Sequence, residues 1–196
     1  MPLNKSFGMT MFLRKHIEEI IPLTNEEFER IEPYFQLLNF ARGEILISPQ
    51  QPVTDIYLVK TGMLKSWLPT TDGKQYILQF GWENWWISDF NAFFKIGISS
   101  LTVQALQASS VYQLSLKSFE QLAQDIPAME HFLRIKSNLG YAALQNRIIS
   151  LLSKSAKERF EELNDQYPEL LQLLPKSEIA NYLGVSRETL SRLYRK

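Results

Sequence analysis

The sequence predicts an α+β protein: N-terminal helices, a small β roll, a long helix and a C-terminal helix-turn-helix. Three observations predict this. Short β-branched and aromatic runs crowd residues 39–117. Apolar residues recur at helical spacing from 118 to about 164. After 165, apolar, small and glycine positions fall in the register of two short crossing helices.

In chain order, Phe12, Leu13, Ile17, Ile20 and Ile21 recur at helical spacing, and residues 10–38 read as two helices broken at Pro22. Thr24 and Glu27 have the spacing of a capping box. The strand candidates are 45–47, 56–59, 64–68, 75–80, 101–105 and 111–116, with Asp72-Gly73 as a hairpin turn. So many short strands argue for a small antiparallel barrel or roll. A short helix at 118–125 meets Pro127, and one longer helix runs from 128 to about 164. Met129, Phe132, Lys136, Leu139 and Ala143 trace a seam along it at heptad-like spacing, which favours a two-chain helical interface over a core helix of the same chain. Gly140 would permit a close approach or a bend. The division expected is 1–125 for the roll with its leading helices, 126–145 for the dimerisation helix and hinge, and 146–196 for the helix-turn-helix.

Composition removes several function classes. At 196 residues and 45% hydrophobic, the chain can build a core, so disorder throughout is excluded. Lys and Arg number 21 against 21 Asp and Glu, which rules out a uniformly basic coat but not a local basic patch. With no cysteine there is no disulfide, iron–sulfur cluster or zinc finger. Only His16 and His131 are present, each expected at a surface or boundary, so no three-histidine metal site is possible within one chain. No Gly-rich phosphate loop, G-x-S-x-G or H-E-x-x-H occurs, which argues against an enzyme. No apolar run approaches the ~20 residues of a membrane span, and the charged start does not read as a signal peptide. The expected compartment is the cytoplasm, with no membrane association.

The segment PKSEIANYLGVSRETLSRLYRK carries the strongest motif. Ala180 is small where a second helix would cross, Gly184 can take positive φ at the turn, and Ser186 suits an N-cap. Val185, Leu190 and Leu193 bury one face of the second helix, while Arg187, Glu188, Ser191, Arg192 and Arg195 share the opposite strip. Arg can donate twice to guanine, Glu can accept from cytosine N4, and serines such as Ser177 and Ser186 can hold phosphates. From Lys176 onward there are five basic and two acidic residues, a local excess suited to double-stranded DNA. The alternative is a protein-interaction or ligand-sensing β-roll dimer whose C-terminal strip is only a solvated surface.

Ser186–Arg192, read as SRETLSR, resembles the recognition helix of the Crp–Fnr family of bacterial transcription regulators, S-R-E-T-[VL]-x-R. The stretch FARGEILISPQQPVTDIYLVKTGMLKSW is similar to that family's cyclic-nucleotide-binding roll. The resemblance covers nearly the whole chain. It implies a homodimer with a winged helix-turn-helix, a hinge near residues 140–145, RNA polymerase as a partner, and a roughly palindromic operator with half-sites about 34 Å apart. By the same resemblance, Arg187 and Arg192 read guanine or phosphate and Glu188 reads cytosine.

Family members that bind cyclic AMP carry a cassette in which a Glu holds the ribose and an Arg pairs with the cyclic phosphate. Aligned on WISDFNAFFKIGISSLTVQAL, the Glu becomes Asp89, a following small residue becomes Asn91, and the Arg becomes Ser99, beside Ser100. The adenine-contacting positions fall near Phe132 and Leu133, both apolar. Losing the Arg removes a charge-assisted pair of roughly 2–5 kcal/mol. Lys95 offers only a point charge from the loop. These departures disfavour cyclic AMP; the effector is unknown and no cofactor is predicted. The seven aromatics in residues 80–94 read as roll filling in preference to a stacking pocket.

Overall fold

The computed structural model describes residues 5–95 and 97–194. Helix α1 (Lys5–Glu18) and helix α2 (Asn25–Ile31) lead into a 3₁₀ turn, Glu32–Tyr34. The predicted capping box forms: Thr24 Oγ1 accepts from the Glu27 N–H, and the Glu27 carboxylate accepts from the Thr24 N–H. The Thr24 N–H, joined by the Thr24 hydroxyl, donates to the Glu27 carboxylate and holds it below the usual carboxylate range.

Among the described residues eight strands follow: β1 (Phe35–Phe40), β2 (Ile45–Ile47), β3 (Asp55–Thr61), β4 (Leu64–Pro69), β5 (Gln75–Gly81), β6 (Trp86–Ile87), β7 (Thr102–Ala105) and β8 (Ser109–Ser115). A short helix α3 (Phe90–Phe94) lies between β6 and β7. The strands form two four-stranded sheets, ordered β1-β8-β3-β6 and β2-β7-β4-β5. β8 sits between antiparallel partners, with Leu114 opposite both Phe35 and Ile56. Gly62 turns the chain from β3 to β4 at φ 90°, and a Cβ there would lie 2.5 Å from the Ala108 carbonyl oxygen. Any other residue would be both strained and in collision with backbone.

The remaining elements are helical: α4 (Leu116–Asp125), α5 (Pro127–Ser153), α6 (Ala156–Gln166), α7 (Pro168–Leu173), α8 (Lys176–Leu183) and α9 (Arg187–Leu193). Four expectations change. β1 replaces the end of a predicted helix, because its backbone pairs along β8 from Phe35↔Leu114 to Phe40↔Ser109. β6, only two residues long, was not expected. The single helix expected from 128 to 164 is two, because Ser155 and Glu158 form a second capping box that starts α6. The wing implied by the family resemblance is not formed among the described residues. Among the described residues every element after α5 is a helix, with Pro168 opening α7 where its missing N–H costs nothing.

Compactness divides the chain in two: residues 1–66 with 80–137, and residues 67–79 with the segment from 138 onward. This differs from the expected three-part division, since the boundary falls inside α5. The first unit holds a continuous core from α1, α2, the strands, α4 and the start of α5. Met129 and Phe132 are fully buried in it, and Lys136 pairs with Glu19 of α1 at 2.9 Å. These three predicted dimer-seam residues therefore serve their own chain. Only Leu139 and Ala143 of that seam are exposed.

His16, expected at a surface or boundary, is buried in the same core. Its Nε2 accepts from Trp86 Nε1 at 3.0 Å and its Nδ1 lies 3.2 Å from Asn84 Oδ1, the arrangement of a neutral ring protonated on Nδ1. Phe12 stacks on the ring and Phe132 meets it edge-on. Burial, with the Lys136 charge nearby, lowers its pKa to about 4.

Candidate nucleic-acid interface

α8 and α9 build the helix-turn-helix that the sequence predicts. Ile179, Ala180 and Leu183 bury the inner face of α8. Gly184 takes the left-handed conformation, φ 66°, and its N–H closes on the Ala180 carbonyl, as does the Val185 N–H at 3.0 Å. Ser186 then caps α9, its Oγ accepting from the Thr189 N–H at 3.1 Å. Leu190 is fully buried, whereas Val185 and Leu193 are half-buried. Tyr194 packs edge-on against Phe160 of α6, and the Lys176 ammonium lies 4.6 Å from the Tyr194 ring centre.

The outer face of this pair is an open concavity of about 670 Å³ lined by Lys176, Arg187, Glu188, Ser191 and Arg192. Four of the predicted strip residues thus converge, and Lys176 joins them. It lies at the start of α8, eleven residues before Arg187, so strip spacing alone does not reveal that it shares the concavity. Ser177 is half-buried, Ser186 is engaged as the cap, and Arg195 lies outside the described residues. Arg187 and Arg192 are exposed, with Arg192 Nη2 3.3 Å from Thr189 Oγ1. The Glu188 carboxyl is held below the usual range by its own backbone N–H and the Ser186 hydroxyl, helped by Arg187 and Arg192. It is an anion among three cations, so the surface can both donate to guanine and accept from cytosine.

In the roll, the structure brings Asp89, Ser99 and Ser100 together. Asp89 is buried and caps α3, its Oδ1 accepting from the Ala92 N–H at 3.0 Å. Its Oδ2 is 3.0 Å from Ser99 Oγ and accepts from the Ser100 N–H at 3.1 Å. Ser99 Oγ also lies 2.9 Å from the Leu101 carbonyl and accepts from the Leu101 N–H at 3.0 Å. Asn91 and Lys95 are exposed. Phe132 and Leu133 are core side chains. The aromatics of 80–94 divide: Phe93 is fully buried, Trp86 tilts over His16 and Phe35, and Trp82 and Trp85 pair at 4.5 Å. Among the described residues, no group of three or more acidic or histidine side chains is placed to hold a metal ion.

A third feature was missed. In the second half of α5, Tyr141, Leu144, Ile148, Leu151 and Leu152 are exposed at spacings of 3, 4, 3 and 1, a single apolar stripe. Its centre lies roughly 170° around the helix from Leu139, at 100° per residue. The spacing is legible in the sequence; the seam drawn there followed the buried first turns instead.

Comparisons with known proteins agree with this fold. Residues 37–125 match the cyclic nucleotide-binding domain. The transcriptional activator protein Anr of Pseudomonas aeruginosa is 23% identical over 171 residues, covering 78% of this chain and 66% of the relative. Electron transport regulator A of Shewanella oneidensis is 26% identical over 166 residues, covering 78% and 64%. This chain thus spans slightly under two-thirds of the length of these relatives. A solved structure of a CooA variant from Carboxydothermus hydrogenoformans superposes with a TM-score of 0.67 at 21% identity, covering 88% of this chain and 79% of that one, a likeness of fold. Residues 37–125 thus match the model of the cyclic nucleotide-binding domain, and the chain is similar in sequence to these transcription regulators.

Proposed function

We propose that the chain is a sequence-specific DNA-binding transcriptional regulator that works as a homodimer and is not gated by cyclic AMP. The observation that carries this reading is the concavity in which Lys176, Arg187, Glu188, Ser191 and Arg192 meet over a capped helix-turn-helix. α9 enters the major groove. Arg187 and Arg192 donate to guanine O6 and N7, Glu188 accepts from a cytosine amino group, and Lys176, Ser177 and Ser191 hold phosphates. The compartment is the one that holds the DNA, the cytoplasm, and RNA polymerase is the downstream partner.

The second copy docks on the α5 stripe. Tyr141, Leu144, Ile148, Leu151 and Leu152 carry no charge and extend over about three helical turns, the pattern of a two-helix seam. Two α9 helices held in one dimer then engage half-sites about 34 Å apart. Linking them raises avidity by about 10²–10⁴ over one alone.

The roll supports effector independence from cyclic AMP. The Ala92 N–H, the Ser100 N–H and the Ser99 hydroxyl, donors that would serve an anion, already surround the Asp89 carboxylate. A cyclic phosphate would compete with that carboxylate, and serine stands where relatives place the pairing arginine. The lost pair is worth roughly 2–5 kcal/mol.

The test is enrichment of bound duplexes from a pool with a randomised centre, using ligand-free protein. A motif with two-fold symmetry is expected. Arg192→Ala should weaken the enriched site by about 1–3 kcal/mol while leaving the sedimentation state unchanged. Failure to enrich any motif, or equal binding by wild type and Arg192→Ala, contradicts the reading.

A further inference from the structure

Two arginines that do not line the concavity, Arg147 and Arg159, bind backbone carbonyls instead. A helix leaves its last carbonyls without partners inside the helix. At the end of α8, the Tyr182 carbonyl accepts from Arg147 Nη2 and the Leu183 carbonyl accepts from Arg159 Nε at 3.1 Å. Arg147 belongs to α5 and Arg159 to α6. The Arg147 guanidinium also lies over the Tyr182 ring, its Cζ 3.6 Å from the ring centre. Arg159 Nη1 donates to the Lys154 carbonyl at 2.6 Å, directly after α5 ends. One planar fork thus ties the end of α5 to the end of α8. Both cations sit at the negative end of the α8 dipole, where positive charge is favoured.

The placement matters because so little chain lies beyond it. Only Gly184 and Val185 separate Leu183 from Ser186, the cap of α9. Leu151, one turn along α5 from Arg147, reaches to 4.0 Å from where a Gly184 Cβ would stand. The helix turn that holds α8 is therefore the same one that carries Ile148, Leu151 and Leu152 of the apolar stripe. Arg147 Nε is buried with no hydrogen-bond partner among the described residues, so this side chain is retained at some cost.

We propose that Arg147 and Arg159 are positioning residues that fix the direction of the recognition helix relative to α5, and so set sequence discrimination without touching DNA. The inference rests on the DNA-reading function above. A shift of this clamp moves the N-terminal end of α9, where Arg187 and Glu188 sit, and base contacts depend on that end more sharply than phosphate attraction does.

The experiment compares Arg147→Lys with wild type on the enriched duplex and on random duplex at one salt concentration. Lys keeps the charge but loses the fork and the flat stacking surface. The expected result is a fall of about tenfold in the ratio of enriched-site to random affinity, the size of one lost bidentate base contact, with random-duplex affinity and dimer state unchanged. Simple destabilisation would lower both affinities together and leave the ratio intact. Arg159→Lys is the second variant, and it carries the test if Arg147→Lys does not fold. A folded variant whose ratio equals the wild-type ratio overturns the clamp while the function reading stands. A wild-type chain that enriches no motif removes the function reading, and the clamp with it.

Discussion

The two compact units spend their apolar side chains differently. The first, residues 1–66 and 80–137, places α1, α2, strands of both sheets and the start of α5 around one continuous core. The second, residues 67–79 and those from 138 onward, has a small core around Leu163, Leu170, Leu174, Ile179, Leu183 and Leu190. Among the described residues, eleven of the fifteen large apolar side chains left in solvent belong to the second unit. Seven of these lie on α5 between Leu139 and Leu152. Contiguous exposed apolar surface marks a site of interaction rather than a tolerated accident. The first unit can therefore be expected to fold on its own resources. The second leaves an apolar face uncovered. α5 carries both characters, buried at Met129 and Phe132 and uncovered beyond Ser137.

That contrast can be broken at several points. The largest effect should come from Leu144→Lys, which puts a charge in the proposed seam. Sedimentation should report monomer, and affinity for the enriched duplex should fall by about 10²–10⁴ as the second half-site is lost, while the roll keeps its melting temperature. Retention of the dimer would place the second copy elsewhere. Next, Phe132→Ala should destabilise the first unit by about 3–5 kcal/mol, a large core side chain removed, and show as a lower melting temperature. If Phe132 belonged to a subunit seam instead, its replacement would lower dimer affinity and spare the isolated roll.

A smaller effect is expected from acid. His16 titrates near 6.5 in the unfolded chain and at about 4 in the folded one, because burial disfavours the imidazolium. Above pH 6.5 both states are neutral there and stability is independent of this group. As pH falls from 6.5 toward 4, the unfolded chain takes up a proton that the folded chain refuses. Stability is then lost progressively, roughly 3 kcal/mol in all, and the loss levels off below about pH 4. Urea midpoints at pH 7, 5.5 and 4.5 would read the slope, and His16→Gln should flatten it. An unchanged slope in that variant would mean the ring is hydrated in solution.

Much of this architecture was legible before any coordinates. The runs at 45–47, 56–59, 64–68, 75–80 and 101–105 each became a strand within a residue or two, because β-branched runs bounded by Gly, Pro or Asp leave few alternatives. The two helices and the turn of the helix-turn-helix were legible, since Ala180, Gly184 and Ser186 each meet a separate local demand. The capping box at Thr24 was read, while the identical one at Ser155 was passed over inside an apparently continuous helical pattern. β1 was lost for a different reason: FQLLNF has no strong local preference and is a strand because β8 supplies its partners. The Asp89–Ser99 contact and the Arg147–Tyr182 clamp join residues distant in sequence, and nothing in local spacing announces either.

The central claim is that ligand-free chain reads DNA as a two-fold dimer through α9. The most direct measurement is the stoichiometry and affinity of purified protein on its enriched duplex, determined by analytical ultracentrifugation with and without millimolar cyclic AMP. The account predicts two chains per duplex and the same affinity in both conditions. One chain per duplex, or binding that appears only with cyclic AMP, would contradict it.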